Sequence, residues 1–263
     1  MVRTVADAGH ALNTPGKRTP NDEREWTFND KVVDAFMLFL SKYENVQLLR
    51  VDDSSGKVDI PLSTRTNKAN AFDADVYISF HHNALTGVWG NHGGVETFVH
   101  PQSSQASKDI QKILHANVLK VMGIADRGAK SADFHVLRET KMPAVLIEGG
   151  FMDSRIDIKA MRDDKRLKAQ GEAVAKGLVE YFGLKLKESV KPASESVQEP
   201  VNTEVKGVSK TVEYGKNEQP SKSLIPEFNE AKELKITDGT YPNRPATRAE
   251  VAVMVLHGLN LKK

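Results

Sequence analysis

The chain has 263 residues, which is long enough for one sizeable α/β domain and a smaller appendage. Its 37 basic and 35 acidic residues nearly balance, and no basic arm carries interleaved aromatic residues, so the composition does not predict a nucleic-acid partner. Cysteine is absent, which excludes disulfide scaffolds, thiolate zinc sites and cysteine nucleophiles.

The sequence begins MVRTVADAGHALNTPGKRTP, which lacks the apolar core of a secretory signal peptide. No stretch approaches about 18 consecutive apolar residues, so no membrane span is predicted. We therefore expect synthesis in a cytoplasm without a signal peptide. If the protein works outside the cell, another factor must release it.

The segment from residue 2 to about residue 186 alternates short apolar runs with longer amphipathic stretches. The apolar runs predict strands at Val2–Ala8, Val46–Val51, Asp75–His81, Gly94–Val99 and Ala144–Glu148. The amphipathic stretches predict helices at Glu25–Tyr43, Leu62–Phe72, Ser103–Met122 and Asp163–Phe182. Gly183 fits as the residue that ends the last helix. This alternation predicts an α/β fold with a mostly parallel, twisted sheet and helices on both faces.

The composition changes after residue 186. Residues 187–223 are rich in Ser, Glu, Lys, Val and Pro and lack periodicity, which predicts a linker. Residues 224–263 regain apolar positions, and Thr247 followed by Glu250 predicts a capping box at the start of a helix. We therefore expect a domain over residues 1–186, a linker, and a small, mainly helical C-terminal module.

Three polar residues each end or follow a predicted strand: His10, His81 and Glu148. Ligand sites in parallel sheets gather at the carboxyl ends of the strands, so we expect these side chains to meet. Two imidazoles and a carboxylate, from His10, His81 and Glu25, make a ligand set that zinc hydrolases use with a fourth position left for water. Glu148 would take a proton from that water and deliver it to a leaving amine. No local H-E-x-x-H motif is present, so His10 taken alone is more readily explained as a structural histidine, and Glu25 alone as a solvated charge in the first turn of a helix.

Four separated motifs occur in the order AGH (8–10), EWTFN (25–29), RTNKANAFDADVYISFHHNA (65–84) and PAVLIEGGF (143–151). Together they resemble the N-acetylmuramoyl-L-alanine amidases of the amidase 3 type, found among bacterial autolysins and phage endolysins. The segments RGAK (127–130) and VLR (136–138) also look like the family's stretch before its last strand. The resemblance covers residues 1 to about 186, which would make them a zinc amidase catalytic domain.

The resemblance implies that His10, Glu25 and His81 bind zinc and that Glu148 is the catalytic glutamate. The implied reaction is hydrolysis of the amide that joins N-acetylmuramic acid to the L-alanine of the stem peptide in bacterial peptidoglycan. Two alternatives stay open: a zinc endopeptidase that cuts within the stem peptide, and a wall-binding protein without catalysis.

Several neighbouring residues compete with this assignment. Glu23 also lies at the start of the first long helix, although the family's E-x-x-x-N spacing, matched by Glu25 and Asn29, favours Glu25. His82 follows His81 on a strand, so its side chain should point to the opposite face and pack there. The remaining candidates are expected to be structural histidines or solvated acids: His92, His100, His115, His135, His257, Glu96 and Glu139. Ala11 and Leu12 stand where many family members have glycines, which predicts a less open loop.

Residues 234–250 (LKITDGTYPNRPATRAE) resemble an S-layer homology repeat. Such repeats bind secondary cell-wall polysaccharides, and Arg248 would suit bidentate pairing with a sugar carboxylate. A single repeat stands where three are usual, so the module would bind weakly or pair with a second chain, and a small helix without a ligand is the alternative. A wall-binding tail without a signal peptide fits a phage endolysin released by a holin, or an autolysin freed when a mother cell lyses.

Overall fold

The structure is a computed structural model that describes residues 1–188. The predicted linker therefore lies outside the described residues from residue 189 onward. The predicted C-terminal module, with Arg248 and His257, also lies outside them.

The strands of the described region are β1 (Val2–Ala8), β2 (Val46–Arg50), β3 (Val76–Asn83), β4 (Val95–Val99), β5 (Asp126–Ser131) and β6 (Ala144–Phe151). Its helices are α1 (Glu25–Leu40), α2 (Leu62–Ala71), α3 (Gln105–Met122), α4 (His135–Arg138), α5 (Ile158–Met161) and α6 (Asp164–Phe182). Each strand and helix predicted for this region is confirmed, with ends that shift by up to three residues. Strand β5 and the single-turn helices α4 and α5 were not predicted.

The strands of residues 1–188 form a six-stranded sheet in the order β2-β1-β3-β6-β4-β5. Strand β4 runs antiparallel to β6, and every other pair of neighbours in this order is parallel. The predicted mostly parallel sheet is thus confirmed, with one reversal. Because of this reversal, β4 and β5 begin at the edge of the sheet where β6 ends.

Helices cover both faces of the sheet, as predicted. On one face α1, α3 and α6 enclose the larger apolar core, which includes Phe36, Phe80 and Leu114. On the other face α2 and α4 cover a smaller core around Tyr77 and Leu146.

Helix α6 ends as predicted, with Gly183 in the left-handed conformation at φ 61°. No helix within residues 1–188 combines the length and apolar character needed to cross a membrane.

Candidate metal site and catalytic carboxylate

Glu25 is the first residue of α1, and its side chain is only 2% exposed. Its carboxylate lies between two histidines, with Oε2 3.3 Å from His10 Nε2 and Oε1 3.0 Å from His81 Nδ1. Oε1 also accepts hydrogen bonds from the backbone N–H of His82 at 3.2 Å and from Asn29 Nδ2 at 3.4 Å. These contacts fix the orientation of the carboxylate.

The competing carboxylate of Glu23 points elsewhere. It accepts hydrogen bonds from Arg162 at 2.9 and 2.6 Å and from the Thr19 hydroxyl at 3.0 Å. Of the two acids, therefore, Glu25 is the one that reaches the histidines.

The two histidines approach each other across Gly9. His10 has φ 67°, a left-handed conformation that costs a residue with a Cβ about 1–2 kcal/mol. Arg65 Nη2 donates to the carbonyl oxygen of His10 at 3.1 Å and thereby supports this conformation. A methyl group on Gly9 would overlap the His81 ring. Glycine at this position therefore leaves room for the His10 and His81 rings to approach, with 4.9 Å between their centroids.

The ligand atoms of His10, Glu25 and His81 all lie within 4.8 Å of one another. Two imidazole nitrogens and one carboxylate oxygen form a donor set with a net charge of about −1, which suits zinc and other first-row transition metals. Hydrogen bonds from Asn29 and from the His82 backbone hold the carboxylate in place, as is usual around metal ligands. The residues present therefore fit a zinc ion.

Burial and mutual charge shift the pKa values of these three groups. Burial lowers the pKa of His10 to about 4, against the opposing charge of Glu25. Burial by itself raises the pKa of Glu25, but the hydrogen bond with His81 and the charge of His10 outweigh it and lower that pKa to about 2. Burial lowers the pKa of His81, but the hydrogen bond with Glu25 outweighs it and raises that pKa. An ionised Glu25 and a neutral His10 are the protonation states that metal binding requires.

Glu148 lies on β6 directly across from His81 on β3. Its Oε2 atom is buried and has no hydrogen-bond partner within residues 1–188. Burial raises the pKa of Glu148 to about 8, and the negative charge of Glu25 adds to the effect against the lowering influence of His81. A buried carboxyl group of raised pKa beside a candidate metal site is suited to accepting and donating protons.

His82 packs on the other side of β3, as predicted. Its side chain is buried, with Nδ1 2.8 Å from Asn29 Oδ1 and the ring 5.9 Å from the Phe28 ring between centroids. Since Asn29 also donates to Glu25, His82 supports the cluster from behind.

Glu96 corrects one prediction, since we expected a solvated acid and its side chain is only 5% exposed. It accepts hydrogen bonds from Arg127 Nε at 2.9 Å, Lys130 Nζ at 2.5 Å and Asn83 Nδ2 at 3.0 Å. The reversal of β4 places Glu96 directly across from Glu148. The local sequence pattern does not indicate that β4 runs antiparallel to β6, so the burial of Glu96 could not be predicted from it.

The other histidines within residues 1–188 have structural partners, as predicted. The pairs are His92 with Asp153, His100 with Asp133, His115 with Asp126 and His135 with Thr66. Glu139 is largely exposed and pairs with Arg138, which confirms its prediction as a solvated charge.

Arg65 is a residue of the site that sequence analysis did not single out. It is fully buried on α2, where Nη1 donates to Asp7 Oδ1 at 2.6 Å and to the Ala8 carbonyl oxygen at 2.8 Å. A charged residue on a short amphipathic helix is ordinarily solvated, so the pattern gave no signal for it. Only its position at the head of the third motif pointed to it.

Comparisons with known sequences identify the family of the chain. Residues 5–180 match the family model described as N-acetylmuramoyl-L-alanine amidase (Amidase_3). The chain is 35% identical over 186 residues to the sporulation-specific N-acetylmuramoyl-L-alanine amidase of Bacillus subtilis (strain 168), a match that covers 70% of each protein. It is 38% identical over 188 residues to the endolysin of Bacillus phage SPP1, covering 69% of this chain and 66% of the endolysin.

Solved structures share the fold of residues 1–188. The catalytic domain of CwlV, an N-acetylmuramoyl-L-alanine amidase from Bacillus (Paenibacillus) polymyxa var. colistinus, superposes with a TM-score of 0.64 at 27% identity. The match covers 70% of this chain and 100% of that domain. A second N-acetylmuramoyl-L-alanine amidase, from Clostridium difficile 630, also gives a TM-score of 0.64 at 27% identity, covering 69% of this chain and 97% of that one.

Proposed function

Because this chain belongs to the Amidase_3 family of N-acetylmuramoyl-L-alanine amidases, we propose that it uses zinc to hydrolyse the amide between N-acetylmuramic acid and L-alanine. Membership of this family identifies the chain as a peptidoglycan amidase. The dependence on zinc and the roles of individual residues in catalysis are what the proposal adds. One observation supports them above all. The ligand atoms of His10, Glu25 and His81 lie within 4.8 Å of one another, with Glu148 paired to His81 on the neighbouring strand.

The proposed roles follow from the chemistry of each group. His10, Glu25 and His81 would hold the zinc ion, which when bound polarises a carbonyl group and acidifies a water molecule. The positive charge of the bound ion would favour the ionised form of Glu148 against the burial that raises its pKa, so that Glu148 can accept a proton from the attacking water as general base. It then donates that proton to the departing amino group of L-alanine, so the C–N bond breaks as a carboxyl group forms on the lactyl side.

The test is a digest of purified Gram-positive cell walls with wild type, Glu148→Ala and Glu139→Ala, each assayed for bound zinc. Wild type should free L-alanine amino termini without new reducing sugar ends. Glu148→Ala should keep its zinc and lose about 10²–10⁴-fold in rate, because it lacks the general acid–base group. Glu139 is an exposed carboxylate that pairs with Arg138, so its substitution should leave the rate unchanged.

The competing functions give different results in the same digest. New amino termini from other stem residues would identify an endopeptidase. If wild type and Glu148→Ala both hold zinc and neither cuts, the catalytic proposal fails and wall binding becomes the function.

We also propose that the enzyme acts at the bacterial cell wall and that residues 224–263 attach it there through secondary wall polysaccharide. The S-layer-like motif that contains Arg248 supports this step. In a sedimentation assay with the full chain, Arg248→Ala should lower the fraction bound to walls but leave hydrolysis of soluble muramyl peptides unchanged. Equal sedimentation of both proteins would reject the step.

The route to the wall also remains a proposal. Similarity to an endolysin and to a sporulation-specific amidase fits release by a holin or by lysis of a mother cell.

A further inference from the structure

A second charged cluster lies beside the candidate catalytic carboxylate, formed by Glu96, Arg127 and Lys130. Glu148 is directly across from Glu96, on the neighbouring strand. Arg127 and Lys130 belong to β5, the next strand outward, and reach back to Glu96. The row of charges therefore runs from the candidate metal ligands across β6 and β4 to the edge of the sheet.

The charges in this cluster do not balance. Arg127 Nε and Lys130 Nζ both donate to the same oxygen, Oε1 of Glu96, at 2.9 and 2.5 Å. The other oxygen, Oε2, accepts from the neutral amide of Asn83 at 3.0 Å. One buried carboxylate thus faces two cations, which leaves an excess positive charge beside the catalytic centre.

Arg127 is held in place while its hydrogen-bonding edge stays free. Its guanidinium carbon lies 4.8 Å from the centroid of the Phe151 ring, and Nε is fixed by Glu96. Gly94, with φ 123°, leaves space for the Arg127 side chain, since a Cβ there would come within 2.7 Å of Arg127 Cγ. Within residues 1–188 the two terminal nitrogens of Arg127 have no hydrogen-bond acceptor, and 36% of the side chain is exposed.

The buried Arg65 shows the contrast. Its Nε and both of its terminal nitrogens donate to protein oxygens, so it is a structural cation. Arg127, by comparison, has two terminal nitrogens without a protein acceptor on a partly exposed side chain, beside an unbalanced positive charge. That geometry matches the bidentate recognition of a carboxylate.

We propose that Arg127 binds a carboxylate on the peptide side of the substrate and so selects stem peptides that carry a free acid. The inference rests on the proposed amidase function. Neighbouring strands lie about 4.8 Å apart, so β5 is roughly 14 Å from β3 and His81. An extended peptide covers that distance in about four residues. Because the Arg127 side chain extends toward Glu96, its guanidinium lies closer to His81 than the β5 backbone does. The carboxylate would thus lie within about three residues of the scissile amide.

The test uses two synthetic muramyl peptides that differ only in carrying free carboxylates or carboxamides on the stem peptide. Wild type should prefer the acidic peptide. Arg127→Gln should lower kcat/KM for that peptide by about 10- to 100-fold, mostly through KM, as expected for a lost hydrogen bond to a charged group. The same variant should change kcat/KM for the carboxamide peptide by less than about threefold, and Arg127→Lys should fall in between.

Arg3→Gln is the matched control, because Arg3 forms an exposed ion pair with Asp73 at the opposite end of the sheet and should leave both rates unchanged. An equal loss on both peptides would show that Arg127 only supports Glu96, which would overturn the inference while the amidase function stands. Equal wild-type rates on the two peptides would also overturn it. Failure of wild type on both peptides would reject the proposed function and this inference with it.

Discussion

At the residue scale, the candidate site depends on side chains outside the proposed set of metal ligands. Arg65 is the clearest case, because it joins Asp7, the Ala8 carbonyl and the His10 carbonyl below the site. Asp7 in turn accepts hydrogen bonds from the Tyr77 hydroxyl at 2.8 Å and from the Ser79 hydroxyl at 2.9 Å. Removing one partner of such a buried pair leaves the other charge without compensation in a medium of low polarity.

We therefore predict that Arg65→Met lowers the free energy of unfolding by about 3–5 kcal/mol. Urea denaturation measures this, with Arg3→Gln as the control, because exposed ion pairs contribute about 0–1 kcal/mol. Similar losses in the two variants would contradict the structural role given to Arg65. A loss of stability in Arg65→Met that is smaller than the loss in Arg3→Gln would also contradict that role.

Asp153 makes the stability of the segment after β3 depend on pH. Its buried carboxylate accepts hydrogen bonds from the backbone N–H groups of Leu85, Thr86 and Gly87 and contacts His92 Nε2 at 2.7 Å. Burial raises the pKa of Asp153, but these hydrogen bonds outweigh it and lower the pKa below its ordinary value. The ionised carboxylate is thus favoured in the folded state, so its stabilising contribution is present above the unfolded pKa, which is about 3.9.

Asp153→Asn should accordingly lower the free energy of unfolding at neutral pH. The difference from wild type should shrink as the pH falls below about 3.9 toward the lower folded pKa, because wild-type Asp153 then becomes protonated. Urea denaturation at pH 3, 5 and 7 measures the difference. A difference that stays constant across this range would mean that the charge of Asp153 contributes nothing.

At the scale of elements, the position of α1 decides where Glu25 lies, and α6 supports α1. The two helices meet at Gly171, where an added Cβ would overlap the carbonyl oxygen of Val32. At Gly177, in the same helix, an added Cβ would instead come closest to the flexible end of the Leu114 side chain, at 2.5 Å.

Gly171→Ala should therefore destabilise the protein, although alanine favours helix formation over glycine by about 1 kcal/mol. Gly177→Ala is the matched control and should cost less, since a side chain can move more easily than a backbone. Thermal unfolding of the two variants measures this. Equal melting temperatures would show that α1 and α6 can separate without penalty.

The elements that could be predicted from sequence are those with a clear apolar pattern. Strands β1, β3 and β6 have it, and so do the long helices, because burial on one or both faces selects apolar residues at fixed spacing. Strand β5 (Asp126–Ser131) is polar and lies at the edge of the sheet, so no pattern marks it. The direction of β4 depends on long-range pairing with β6, and the wrong prediction for Glu96 follows from that.

At the scale of the whole molecule, the location of the site was the most predictable feature. Parallel strands bring their carboxyl ends to one edge of a sheet, so the positions of His10, His81 and Glu148 at strand ends are enough to predict that they lie together. Glu25 comes from a helix, so its choice over Glu23 depended on resemblance to the family. The hydrogen bonds that Arg65 and Arg127 form join residues distant in sequence, and no spacing rule reveals such contacts.

The proposed zinc site is tested most directly by measuring bound zinc and release of L-alanine termini in the same samples. Metal-free wild type, Glu25→Gln and Glu23→Gln are each equilibrated with zinc, and unbound metal is removed. Wild type and Glu23→Gln should each retain about one zinc ion per chain and cut muramyl peptides, because Glu23 pairs with Arg162 away from the histidines. Glu25→Gln should lose most of both zinc and activity while its circular dichroism spectrum stays folded. Wild-type levels of zinc and cleavage in Glu25→Gln would contradict the proposed site.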